Sequence, residues 1–468
     1  MEASALHDED QAAGGPGGAL ALFTDLYELK MARAYDALGM SGDAVFSLFV
    51  RKLPPGRNYL LACGLERAFS ILEDLRFDTG SLDYLATLPG FDDAFLRRLE
   101  SLRFSGEVHA VAEGTPVFSG EPILEVVAPI LEAQMVETVL MNVIGLETLL
   151  ASKAARIVAA AAGRPVIDFG SRRAQGIDAA LYGARAFYVA GVASTSNVLA
   201  GHRFGIPVAG TMAHSFVQAC DDEMTAFRGF AQVHPDTVLL VDTYDTLQGV
   251  DRVIDLAREL GYGFQVRGIR LDSGGLGALA KAARGRLDAA GLDHVQIVAS
   301  GGLNEFEVAR LMADGAPIDA FGVGTDMSVS ADAPALDIAY KLTEFRGEGR
   351  LKLSTGKRTL PGRKQVFRRF HDGVAAGDIV ARHNEQTNGL PLLSRVMEQG
   401  RRSGPAPTLN AVRGHAAEQT AALPAALRQL QPPIAPYPVK ISEGLATLES
   451  EVRARVAAAN LISSGPTH

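Results

Sequence analysis

Five constellations, the last a pair of stretches, place charged, hydroxyl and small residues where chemistry on an anionic small molecule is possible. In Asp168-Phe169-Gly170-Ser171-Arg172-Arg173, two adjacent arginines follow a predicted strand beside a glycine. Guanidinium groups bind phosphate or carboxylate in a bidentate way, and Phe169 can stack on a flat ring. The competing reading is a core phenylalanine and an arginine paired on the surface. In Gly210-Thr211-Met212-Ala213-His214-Ser215, a histidine sits just past a predicted strand end. It can serve as proton shuttle or nucleophile, or be structural, as lone histidines often are. No second His or Cys stands nearby at metal-ligand spacing. Val241-Asp242-Thr243-Tyr244-Asp245 and Arg270-Leu271-Asp272-Ser273-Gly274 both put carboxylates at strand ends. Such groups bind a hydrated Mg²⁺ or ribose hydroxyls, or they cap helices. In Ser300-Gly301-Gly302 and Gly322-Val323-Gly324-Thr325, the glycines let backbone N–H groups approach a phosphate. Plain turn geometry is the alternative, but a place after late strands favours phosphate.

The elements that must position these residues repeat as strand, polar turn and helix from 166 to 325. Strands are predicted at 165–170, 186–191, 207–212, 238–243, 268–274, 295–302 and 319–325. They begin roughly 20–30 residues apart, the spacing of βα units with parallel strands. Each is nearly all apolar, as strands buried on both faces are, and each ends in Gly, Asp, Thr or Ser. Small and polar residues therefore collect at the carboxyl ends of the strands, where α/β barrels hold their sites. Seven strands leave a closed eight-stranded barrel unproven, with a doubly wound sheet as the alternative.

The flanking segments differ in style. Residues 1–20 read as an acidic, Gly-rich disordered tail. Residues 21–150 read as an N-terminal α/β domain. It opens with a helix near Leu26 capped by Thr24 or Asp25 and ended by Gly39, and it contains a β-rich element at 105–130 broken by Gly and Pro. Residues 151–340 read as the barrel. Residues 341–468, with a basic loop and a Ser-capped terminal helix, complete a smaller domain with the N-terminal segment.

Composition narrows the function. Among 468 residues, 45 Lys and Arg stand against 54 Asp and Glu, a net charge of −9. That excludes broad nucleic-acid binding, which needs a basic face, but not a local basic pocket. Lys341, Lys352, Lys357, Arg358, Arg363 and Lys364 form such a cluster, although a solvated face is the default for a run of this kind. Two cysteines make no disulfide framework, and no apolar run is long enough to span a bilayer, so a cytoplasmic enzyme or metabolite-binding protein is expected. Gly275-Leu276-Gly277 and Ser354-Thr355-Gly356-Lys357 resemble dinucleotide and P-loop motifs, but each lacks required glycines.

Taken in order, TDLYELKMARAY, RKLPPGRNY, EGTPVFSGEPILEV, DFGSRRAQG, GTMAHSF, VDTYDT, IRLDSGG, VASGGLNE, GVGTDMS and KLSTGKRTLPGRKQVFR resemble the nicotinate phosphoribosyltransferase family from about Leu22 to about Val452. The resemblance implies an irregular α/β barrel of parallel strands beside a smaller α/β domain, and a homodimer with shared active sites. It implies formation of nicotinate mononucleotide and pyrophosphate from nicotinate and phosphoribosyl pyrophosphate. ATP is then a co-substrate, and Mg²⁺ is bound with pyrophosphate or ATP through ligands left unassigned. Phe169 would stack one face of the nicotinate ring and Tyr27 from a partner subunit the other. Arg172 would bind phosphate near the ribose, and Arg270 and Asp272 would border base and ribose. Ser300, Gly301, Gly302, Gly322, Gly324 and Thr325 would cradle the 5′-phosphate. Lys341, Lys357 and Lys364 would supply positive charge for phosphates. His214 would be phosphorylated by ATP.

Three rivals are weighed. Nicotinamide phosphoribosyltransferases place an aspartate near the ring. The matching Gly191-Val192-Ala193-Ser194-Thr195-Ser196 has no acid, and Ser194 or Thr195 can donate to a carboxylate. A non-catalytic nucleotide-binding barrel would have no need of His214, Arg172 and Asp272 together. A barrel isomerase or aldolase would want a catalytic Lys or Glu at a strand end, and none from 166 to 325 carries one.

Overall fold

A computed structural model describes residues 20–353 and 358–462. The expected tail, apart from Leu20, and the Lys357 assignment lie outside the described residues. The chain divides into two units. One runs from Leu149 to Pro334 and adds Arg428–Gln431; the other takes the chain up to Thr148, Ala335–Leu427 and the segment from Pro432 on. The terminal segments thus build the larger unit, not a smaller one, because they carry two extended antiparallel sheets. Residues 335–340 join it because Ile338–Phe345 pairs along the whole of Asp43–Val50.

In the terminal unit, Asp43–Val50 lies between Ile338–Phe345 and Pro122–Pro129, antiparallel to both, in a seven-stranded sheet. Phe46 stacks on Tyr340 with ring centroids 4.8 Å apart, so the first and late parts of the chain share one core. A second sheet pairs Lys364–His371 with Val374–Arg382. Buried Glu125 ties the two sheets together. It accepts from the Ser47 hydroxyl at 2.7 Å and the Lys364 backbone N–H at 2.8 Å, and it pairs with the Lys364 ammonium at 3.0 Å. The first helix, Leu26–Ala37, has Asp25 at its N-cap, but that side chain makes no capping bond. Instead the Thr24 hydroxyl donates to Glu28 Oε2 at 2.7 Å.

The other unit holds six short parallel strands in the spatial order Ser194–Thr195, Val166–Asp168, Ala320–Val323, Gln296–Ala299, Gly268–Leu271 and Val238–Leu240. Ile269, Ile297 and Phe321 are fully buried, as strands covered on both faces require. The sheet is curled and open. The stretch 186–191, expected as a strand, ends the helix Ile177–Val189. Alanines at 179, 180, 184 and 186 favour that helix, and Leu181, Ala184 and Phe187 bury one face of it. The stretch 207–212 contributes only a single parallel bridge, Thr195 to Val208. Arg428–Gln431 belongs to this unit through the Leu430 carbonyl, which accepts from Arg156 Nη1 at 3.2 Å. Among the described residues, no helix is long and apolar enough to cross a membrane.

One buried polar knot in the terminal unit sets a testable pH dependence. Arg368 is bidentate to Asp378, Tyr437 donates to Asp378 at 2.8 Å, and Glu121 accepts from the Phe118 N–H at 3.0 Å. Burial first, then the adjacent Asp378 carboxylate, push the Glu121 carboxyl well above its usual range, with Arg368 opposing only in part. A carboxyl raised in the folded state loses stability as pH climbs from the unfolded value toward the folded one. Glu121→Gln removes that loss. Its melting temperature relative to wild type is expected to rise as pH climbs above the ordinary glutamate range, read by circular dichroism. A pH-independent difference would mean that Glu121 is ionised in the fold.

Candidate active site

The carboxyl ends of the parallel strands open into a cavity of about 610 Å³. Phe169, Arg172, His214, Arg270, Asp272, Ser300, Gly301, Gly302, Gly322, Gly324 and Thr325 all line it. The structure therefore collects in one place most of the residues expected from four separate motifs.

The loop after Val166–Asp168 is fixed by its own acid. Asp168 is buried, and its carboxylate accepts from the Gly170 N–H at 2.8 Å and the Thr195 hydroxyl at 2.7 Å. Burial pushes that carboxyl up, and the two hydrogen bonds offset this in part. The turn then exposes Arg172 and Arg173 from a short 3-10 helix, Ser171–Arg173. Phe169 lies against Gly322. A Cβ there would stand 2.4 Å from the ring carbon Cε2, so the missing side chain makes room for the ring. Arg270 lies over the other side of this slot, 5.8 Å from the Phe169 centroid. Its Nη2 donates to the Met212 carbonyl at 2.8 Å, and its buried Nε has no hydrogen-bond partner. Burial lowers the Arg270 proton affinity, and the charges of Asp272 and Asp242 oppose that shift.

Asp272 joins three strand ends. Its N–H donates to Asp242 Oδ2 at 3.0 Å, and its carboxylate accepts from the Ser300 hydroxyl at 2.5 Å. Gly301, at φ 87°, packs so closely that a Cβ would lie 1.7 Å from the Asp272 carbonyl oxygen. His214 begins the helix His214–Ala219. Its Nδ1 lies 3.1 Å from the Thr243 hydroxyl and its Nε2 3.6 Å from Asp272 Oδ2. The ring is held at Nδ1 by Thr243, faces Asp272 with Nε2, and stays partly open to solvent.

Several expected contacts change. Thr195 is buried with its hydroxyl given to Asp168, so it cannot donate to a ligand in the cavity. Ser194 lies in the two-residue edge strand, and the next serine, Ser196, lines the cavity instead. Gly301 and Gly322 serve close packing. Gly302 and Gly324 are the glycines with open faces, where a Cβ would meet nothing closer than 3.5 Å. Ser300 is buried and turned toward Asp272. Lys364 is buried, and its charge is taken by Glu125 and by the Leu360 and Gly362 carbonyls, which leaves no ammonium for a phosphate. Tyr27 and Lys341 belong to the terminal unit. They meet at Glu137, which lies 3.1 Å from the Lys341 ammonium and hydrogen-bonds the Tyr27 hydroxyl. Asp242, Thr243 and Ser196 carry site geometry although only their motifs, not their roles, stood out in the sequence.

The fold and cavity define a phosphoribosyl-handling α/β half-barrel, and comparison with known proteins narrows this. Residues 22–145 match the nicotinate phosphoribosyltransferase (NAPRTase) N-terminal domain, 150–341 the quinolinate phosphoribosyl transferase C-terminal domain, and 389–449 the nicotinate phosphoribosyltransferase C-terminal domain. Nicotinate phosphoribosyltransferase pncB2 of Mycobacterium tuberculosis is 56% identical over 424 residues, covering 90% of this chain and 92% of the relative. The nicotinate phosphoribosyltransferase of Bacillus subtilis is 44% identical over 379 residues, covering 79% and 77%. The crystal structure of human nicotinic acid phosphoribosyltransferase superposes with a TM-score of 0.81 at 30% identity, covering 92% of this chain and 99% of the human one. The chain belongs to the nicotinate phosphoribosyltransferase family.

The Gly301 packing gives a direct test of the site's rigidity. Gly301→Ala forces both a left-handed backbone and a backbone clash. It is expected to cost about 1–3 kcal/mol and to lower the melting temperature by several degrees. An unchanged melting temperature would show that the Asp272–Gly301 approach is not fixed.

Proposed function

We propose that this protein transfers the phosphoribosyl group of phosphoribosyl pyrophosphate to nicotinate, releasing pyrophosphate, as the first step of NAD salvage from nicotinate. We further propose that ATP hydrolysis drives the transfer through a phosphohistidine at His214. The observation that carries this reading is the shared cavity. A ring slot, exposed arginines and open glycines line the same space as a histidine anchored at Nδ1 with Asp272 beside its Nε2.

In this reading the pyridine ring lies on Phe169, and Arg270 places positive charge beside the nicotinate carboxylate, its unpartnered Nε being a ready donor. Arg172 and Arg173 face the phosphates. Gly302, Gly324 and Thr325 offer backbone N–H groups and a hydroxyl to the 5′-phosphate. The pyridine nitrogen attacks the anomeric carbon, the bond to the pyrophosphate oxygen breaks, and positive charge builds on the ribose. Asp272 and Asp242 lie on the side where that charge is stabilised. Tyr27 and Lys341 are assigned to the active site of a second copy in a homodimer.

The residues also fit Mg²⁺. Asp242 keeps a buried carboxylate oxygen, Oδ1, without a hydrogen-bond partner, and hard oxygen ligands suit this ion. When bound with pyrophosphate, Mg²⁺ would neutralise charge on the leaving group. For the ATP step, a proton on His214 Nδ1, donated to Thr243, leaves a lone pair on Nε2. Nε2 attacks the terminal phosphorus, ADP leaves, and Asp272 balances the charge on the phosphorylated ring. Forming and then hydrolysing that bond shifts the protein between tight and weak substrate binding.

The test is pyrophosphate release by the purified protein with phosphoribosyl pyrophosphate and Mg²⁺, using nicotinate or nicotinamide, with and without ATP. Release with nicotinate that ATP enhances is expected. Release only with nicotinamide, or with neither base, overturns the reading. His214→Asn is expected to keep a slow transfer that ATP no longer stimulates; stimulation retained in that variant removes His214 from the coupling.

A further inference from the structure

The two loops assigned above to the 5′-phosphate follow adjacent strands, Gln296–Ala299 and Ala320–Val323. Each runs directly into a helix. The first leads into Glu305–Ala313 and the second into Thr325–Ser328. Glu305, the first residue of one helix, and Asp326, the second residue of the other, both turn toward the same buried group. That group is the ammonium of Lys153 on the long helix Glu137–Ala160. Lys153 Nζ lies 2.5 Å from Glu305 Oε2, 2.5 Å from Asp326 Oδ1 and 2.9 Å from Asp332 Oδ1. The lysine is 1% exposed, and Glu305 is fully buried. Arg156, one helical turn on, pairs with the other oxygen of Glu305 at 2.9 Å. Burial alone would strip the proton from this lysine, but its hydrogen bonds to the three carboxylates outweigh burial and raise its proton affinity.

We propose that Lys153 is a positioning residue for phosphate recognition, a single buried cation that fixes the spacing of the Gly301-Gly302 and Gly324-Thr325 loops. Lys153 is absent from the cavity lining. It acts through Glu305 and Asp326, each set at the start of the helix that its phosphate loop enters. Phosphate caught between two sets of backbone donors depends on their separation to within a fraction of an ångström, since charge-assisted hydrogen bonds fall off steeply with distance and angle. No other feature of the cavity asks for a lysine buried among three acids, whose desolvation is costly unless pairing compensates it. The inference rests on the reading that these loops hold the 5′-phosphate.

The test separates that reading from the inference. Binding of nicotinate mononucleotide and of nicotinate riboside, which lacks the phosphate, is measured by titration calorimetry for wild type, Lys153→Met and Lys153→Arg. A wild type that does not prefer the phosphorylated ligand overturns the reading of the loops, and the inference with it. A wild type that does prefer it sets a ratio of affinities. Lys153→Met is expected to reduce that ratio about tenfold or more, as loss of one partner of a buried ion pair permits. Riboside binding should stay within about twofold, because the Phe169 slot does not contact the pin. Lys153→Arg should recover part of the ratio. In steady-state kinetics the KM for phosphoribosyl pyrophosphate rises in Lys153→Met while that for nicotinate holds. An unchanged ratio, or an equal loss for both ligands, overturns the positioning role. Where Lys153→Met does not fold, Asp326→Asn decides, because it frees one loop from the pin. A direct electrostatic effect of removing this cavity-lining acid would tighten phosphate binding, whereas loss of positioning weakens it. A lower ratio supports the proposal, and an equal or higher one overturns it.

Discussion

Two hydrogen bonds to one carboxylate oxygen tie neighbouring strand ends together at the mouth of the half-barrel. Asp242 Oδ2 accepts the backbone N–H of Asp272 at 3.0 Å and the hydroxyl of Ser273 at 2.6 Å. These bonds bind the end of one strand to the turn after its neighbour. Asp272 in turn holds Ser300, crowds Gly301 and faces His214. A side chain that accepts from backbone in this way uses up one oxygen structurally and leaves the other, Oδ1, buried and unpaired. Buried polar atoms are normally satisfied, and the exceptions need a reason. In the reaction proposed above, a cation brought in with the substrate would supply that reason.

Electrostatics explains why an acidic chain can hold two anions. The net charge of −9 is a property of the whole surface and acts at long range, where salt screens it. Within the cavity, the near field is set by Arg172, Arg173, Arg270 and the exposed N–H groups of the glycine turns. The acids of the site are largely committed elsewhere. Asp168 is buried and bonded to its own loop, and Asp326 is paired with Lys153. Carboxylates that are neutralised or turned away do not repel a phosphate, while the guanidinium groups remain free to attract it.

Much of this arrangement was legible from the chain. Apolar runs ending in Gly, Asp, Ser or Thr mark strands whose carboxyl ends converge, and those ends line the observed cavity. The failures have physical causes. Ala186–Gly191 reads as a strand from its aromatic and β-branched residues, but the helix begun by the alanines before it continues through Val189. Propensity is a weak guide where tertiary packing buries one helical face. Ser196 lies just past the strand Ser194–Thr195, and no spacing argument tells which of these neighbouring hydroxyls turns to the cavity. Gly322 looks like a phosphate-binding glycine, yet its missing Cβ makes room for a phenylalanine 153 residues earlier in the chain. Lys153 was invisible for the same reason. It lies in a helical stretch far in sequence from Glu305, Asp326 and Asp332, and only the folded chain brings these three carboxylates to it.

The irregular side of the half-barrel suits the role proposed for His214. Between the isolated bridge at Val208 and the strand Val238–Leu240, the chain forms no strand; it forms the helices His214–Ala219 and Glu223–Val233. A side chain inside a regular strand here would be covered on both faces. Leaving the ladder open keeps the His214 side chain 39% exposed while Thr243 and Asp272, at the two ordered strand ends beside it, still face its two ring nitrogens. Orientation comes from the sheet and access from the gap in it.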